Sequence, residues 1–150
     1  MSDPFELRYV VLDRLPAVSF AAAVTYLADI LRECQLVLVG RNQGALTDPT
    51  LAQLAEGLVP DIEEIRDVFE AGSLTTNDDG STCLVAPIEV GQAGTLAHLQ
   101  MQLIQLRLLG RRGGLLVRSE PDVSQLLAWI WDEASDQIHG RPARPYHPAT

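Results

Sequence analysis

Two apolar seams in succession limit what this chain can fold into. Between Phe20 and Leu38, apolar side chains fall at Phe20, Val24, Leu27, Leu31, Cys34 and Leu38, in strict steps of four and three. The same steps run through Leu51, Ala55, Leu58, Ile62, Ile65 and Phe69. A repeat near 3.6 residues marks amphipathic helices, each with one narrow face to bury. The short link between them is rich in turn formers, so the pattern predicts a long antiparallel helical hairpin.

The boundaries follow from local chemistry. Pro16 suits the first turn of the first helix, which is expected to run to at least Cys34. Leu36 to Val39 could finish this helix or start a strand; helix is favoured, because Leu38 extends the seam and Gly40 fits just beyond a C-terminus. Arg41 to Thr47 is expected as a loop. Asp48 before Pro49 is a helix-start signal, an N-cap side chain followed by proline at the first helical position. The second helix is expected to reach Ala71 and stop at Gly72, a length of roughly 35 Å. Pro60 lies inside it and predicts a kink or two shorter helices.

Elsewhere the period is two. Phe5 to Leu12 alternates and predicts a strand closed by Asp13 and Arg14. Cys83 to Val90 predicts another, with Leu84, Ala86, Ile88 and Val90 on one side. Pro87 argues for a sheet edge, since it has no N–H to donate. Ser73 to Thr82 reads as an exposed connection. From Gln92 to Leu109 helical spacing returns with two apolar seams. Leu96, Leu99, Leu103 and Leu106 form one; Met101, Ile104 and Leu108 form the other. His98, Gln102 and Gln105 make the polar stripe. Gly110 to Gly114 is expected as a turn, with Leu115 to Val117 as a short strand. Ser119 with Asp122 resembles a capping box for a last helix that turns Val123, Leu126, Leu127, Ile130, Ala134 and Ile138 inward and ends at Gly140.

The expected architecture is therefore α+β and mainly helical: four helices, the first two as a long antiparallel hairpin, and a small sheet of two or three short strands. Residues 1–140 form one domain, and 141–150, with three prolines, form a mobile tail. A chain of 150 residues buries about 70% of its unfolded surface, enough to need neither disulfide nor structural metal.

Charge narrows the partners. A net charge of −9 argues against nucleic acid and anionic membranes, whose phosphates are met by Lys and Arg. No window of about 18 residues is free of polar side chains, so no membrane span is expected. No secretory leader is visible in MSDPFELRYV, and a cytoplasmic location is the expectation. Cys34 and Cys83 show no disulfide spacing, and Cys34, on the seam, reads as a small buried thiol.

Chemical motifs are sparse. Thr75 to Gly80 fails as an EF-hand loop, because Thr75 and Ala86 stand where the first Asp and the bidentate Glu belong. Gly91-Gln-Ala-Gly94 lacks the third glycine of a dinucleotide turn, and with no lysine anywhere in the chain there is no P-loop. Glu63, Glu64, Asp67 and Glu70 read as a solvated acidic face. Arg107, Arg111 and Arg112 could contact an anion, although a helix C-terminus favours cations without any ligand. Trp129 and Trp131 point about 160° apart on a helix, so both cannot face one core. Trp131 lies near the seam. Trp129 lies off it, as an anchor for a partner or second copy, or as partly buried under the tail.

No cofactor or metal is expected, and no catalytic motif is legible. The leading expectation is a non-catalytic regulatory or adaptor protein, homodimeric, working through contacts of helical surfaces that include Trp129, Met101, Ile104 and Leu108. A sensor holding a small molecule between helices is the alternative. An enzyme with a site assembled only in space ranks last.

Overall fold

The computed structural model describes residues 3–46, 48–110 and 120–148. Strand β1 (Leu7–Leu15) leads into helix α1 (Ala17–Asn42), followed by α2 (Pro49–Ala71), β2 (Ser73–Thr76), β3 (Thr82–Glu89), α3 (Ala93–Gly110) and α4 (Pro121–Ile138). The fold is α+β and mainly helical, with α1 and α2 packed together as a hairpin. Arg41 at the end of α1 also pairs with Glu56 on α2. Among the described residues no helix is long and apolar enough to cross a membrane.

The two seams meet as the spacing requires. Phe20, Leu27, Leu31 and Cys34 of α1 are buried with Ala55, Leu58, Ile62 and Ile65 of α2. Val24 is the exception and is exposed. Ala23 and Ile30 are buried in its place, which turns the packed face slightly and leaves Val24 outside it. Leu36 to Val39 are helical. Gly40 is not the stop, however: α1 continues through Asn42 and is closed at Gln43, so Arg41 and Asn42 are helical and not loop. Asp48 caps α2 by accepting from Thr50 N at 2.8 Å, with Pro49 first in the helix. Helix α2 runs unbroken through Pro60 instead of splitting.

The sheet departs from expectation in three respects. Its order is β1-β3-β2, so β3 is central. Pro87 is tolerated because β2 pairs only with Val85 to Thr82, leaving β3 without a second neighbour at Pro87. Ser73 to Thr76 form a strand, not a loop, and the turn of the hairpin is Asn77 to Gly80. There Asp79 accepts from Ser81 N and Oγ, and those bonds hold its carboxyl below the usual range. Finally, β1 does not stop at Asp13. The register passes from Leu12↔Leu84 to Leu15↔Thr82, one extra residue on β1, with Arg14 at φ +58°. That bulge brings Leu15 to the same buried face as Val10 and Leu12.

Helix α4 begins at Pro121 with Glu120 before it and no side-chain cap. Ser119, the turn from Gly110 and the strand expected at Leu115 to Val117 lie outside the described residues, except Gly110 itself, which ends α3. All six residues expected to face inward from α4 are buried.

The segment expected as a free tail is docked. Tyr146 is buried, and its N–H donates to Asp13 O at 2.9 Å. Arg144 donates from its backbone N–H and from Nε to Glu133, which is only 1% exposed, and from Nη2 to Asp136. Glu133 also accepts from Gln137 Nε2 at 2.6 Å. Gln137 in turn imitates a neighbouring strand: its Oε1 accepts from Val11 N and its Nε2 donates to Val11 O, both at 2.8 Å. The outer edge of β1 is thus covered at Val11 and Asp13 by a side chain and by the chain beyond α4.

Candidate functional site

Helices α2 and α3 pack along part of their length and part around a cleft of about 650 Å³. Thr50, Gln53, Leu54 and Gly57 line it from α2, and His98, Gln102, Gln105, Leu108 and Leu109 from α3. The spacings are three and four on each helix, so one face of each meets the other.

Its polar end is set by one contact. His98 Nδ1 lies 2.8 Å from Asp61 Oδ2, an ionisable pair that ties α3 to α2 one turn beyond Gly57. Because Nδ1 faces the carboxylate, the neutral ring carries its proton there and leaves Nε2 as an acceptor. The spacing places Gln102 on a polar stripe with His98 and Gln105. It is instead 6% exposed, and its carboxamide lies against the backbone of Gly57, where any Cβ would collide with Nε2. Its Oε1 is buried and accepts no hydrogen bond. Polarity in the sequence could not reveal this, since the space belongs to a glycine 45 positions away.

The second seam of α3 faces outward. Met101, Ile104 and Leu108 are 62%, 48% and 58% exposed, whereas Leu96, Leu99, Leu103 and Leu106 are buried. With exposed Ala97 they form a stripe about 16 Å long. Leu108 belongs to both the stripe and the cleft.

The remaining sequence candidates lie apart from this region or outside the described residues. Arg107 is exposed on α3, while Arg111 and Arg112 are not among the described residues. Trp131 is buried; Trp129 is half-buried and packs edge-on against Tyr146, centroids 5.1 Å apart, beneath the docked segment. Glu63, Glu64, Asp67 and Glu70 are half-buried to exposed along α2. Among the described residues no group of three His, Cys, Asp or Glu side chains is placed to hold a metal. Both cysteines are free, and burial, helped by neighbouring Glu33, pushes the Cys34 thiol up to about 11.

No protein-family model, no curated protein and no solved structure matches this chain.

Proposed function

We propose that this is a non-catalytic regulatory or adaptor protein that acts through protein–protein contacts of its helical surfaces and associates with a second copy of itself. One observation carries the reading: α3 buries a complete seam and still offers a second apolar stripe, Met101, Ile104 and Leu108, to solvent. A contiguous exposed patch of this kind is uncommon on monomers and marks contact sites.

Charge favours a second copy as the occupant. Two molecules each carrying −9 repel, and copies approach best where carboxylates are absent. Between Ala93 and Gly110 the only Asp, Glu, Lys or Arg is Arg107. Depletion of charge is the usual composition of an interface core.

Light scattering of the intact chain at tens of micromolar should report a dimer. Ile104→Glu and Met101→Glu, on side chains that do not line the cleft, should each give monomers that remain folded by circular dichroism. A monomeric wild type, or a dimer indifferent to both substitutions, overturns this reading.

A further inference from the structure

The cleft between α2 and α3 holds more than helix packing requires. It is a groove open to solvent, and its volume of about 650 Å³ falls in the range of small-molecule sites. A buried carboxamide with an unmade hydrogen bond sits in its wall, an unfavourable arrangement that an apolar residue would avoid. His98 offers a second acceptor, Nε2, one turn away on the same face of α3. The two are roughly 6 Å apart along the helix.

The chemistry of the lining selects the ligand. Gln102 Oε1 is an acceptor, His98 Nε2 is one in the neutral ring whose proton sits on Nδ1, and no Lys or Arg is among the described residues that line the cleft. Asp61 stands behind His98, and the molecule as a whole carries −9, so the field draws cations and repels anions. Leu54, Leu108 and Leu109 give the cleft an apolar wall. Nε2 is the carboxamide atom that lies against Gly57; the terminal torsion of a glutamine is broad and roughly two-fold, so rotation about it can bring Oε1 toward a donor in the cleft.

We infer that this cleft binds a small organic cation whose head carries several N–H donors, an amidine, guanidine or primary amine, on an apolar body. The head donates to Gln102 Oε1 and His98 Nε2, and the body lies on Leu54 and Leu108. The site shares Leu108 with the self-association stripe proposed above, whose Met101 and Ile104 do not line it.

The test is a titration of the intact, isotope-labelled chain, read by amide chemical shifts, with benzamidine and phenethylamine as cationic probes and benzoate as their anionic counterpart. The cationic probes should give saturable shifts centred on Gly57, His98 and Gln102, and benzoate should bind at least tenfold more weakly. Gln102→Leu removes the acceptor while filling the same space, and Gly57→Ala pushes the carboxamide aside. Each should weaken benzamidine at least tenfold while circular dichroism shows the fold retained. Ile104→Glu should leave the affinity unchanged, which separates failure here from failure of the dimer. Benzoate binding as tightly as benzamidine, undiminished binding in the folded variants, or a cleft that takes up only water and no cationic probe would each overturn the inference.

Discussion

Replacing Gln137 should distinguish a structural strand mimic from an incidental side-chain contact. Its carboxamide makes three hydrogen bonds, two with the Val11 backbone and one to buried Glu133. Neutral bonds contribute about 0.5–1.5 kcal/mol each, and a bond to a charged group about 1.5–3. Gln137→Ala forfeits all three, but Val11 and Gln137 are only partly buried, so water recovers some of the loss. The expected destabilisation is about 2–3 kcal/mol. Gln137→Glu is the sharper probe. It keeps the acceptor for Val11 N, loses both donors, and sets a second carboxylate against Glu133. That like charge raises the pKa of the introduced carboxyl in the folded state above its unfolded value near 4.3. A raised folded pKa leaves stability intact below the unfolded pKa and removes it as pH rises through the folded one. Urea unfolding followed by circular dichroism should therefore rank wild type above Gln137→Ala and Gln137→Glu lowest at pH near 8, with the Glu variant recovering toward pH about 4. A Glu variant as stable as the Ala variant at the higher pH, or either variant indistinguishable from wild type, would refute the reasoning.

Three further outcomes follow from the packing. Leu58→Ala, at a fully buried position, should lower stability by about 2–5 kcal/mol, while Val24→Ala, on the same nominal spacing but exposed, should stay within about 0.5; equal effects in urea melts would mean the hairpin is packed on another face. Iodoacetamide at mildly alkaline pH should alkylate Cys34 only after denaturation, because its thiol is buried and ionises near 11; peptide mass spectrometry locates the label, and native-state modification of Cys34 would contradict its burial. Ending the chain after Gly140 should cost about 1–3 kcal/mol by removing the hydrogen bonds of Arg144 to Glu133, and should shift tryptophan emission to the red as Trp129 loses Tyr146; unchanged emission would show that the segment does not cover Trp129.

Where structure is decided within a turn or two of chain, the sequence disclosed it. Asp48 and Pro49 announce α2 through their own side chains, and the hairpin seams appear in the spacing of Leu and Ile alone. The outer stripe of α3 was likewise visible as a second set of apolar residues. What stayed hidden depends on neighbours distant in sequence. Ser73 to Thr76 are exposed, with no apolar alternation, so only pairing with β3 makes them a strand. Pro87 pointed to an edge because no local signal tells how far β2 reaches. Gln102 read only as part of a polar stripe, because the space that buries it is made by Gly57 on another helix. The proline-rich segment looked free because its anchors, Asp13 and Glu133, carry no pattern that names their partners.

The closure of the β1 edge also imposes an order on assembly. Val11 and Gln137 are 126 residues apart, so during synthesis the strand leaves the ribosome long before the side chain that covers it. At about 5–20 residues per second, the gap lasts roughly six to twenty-five seconds. Throughout it, a row of backbone donors and acceptors stands uncovered on the nascent polypeptide, open to whatever extended chain or chaperone is nearby. The α1–α2 hairpin, whose contacts are close in sequence, can be in place before then. Completion falls to Gln137 near the end of α4 and to the residues that follow that helix.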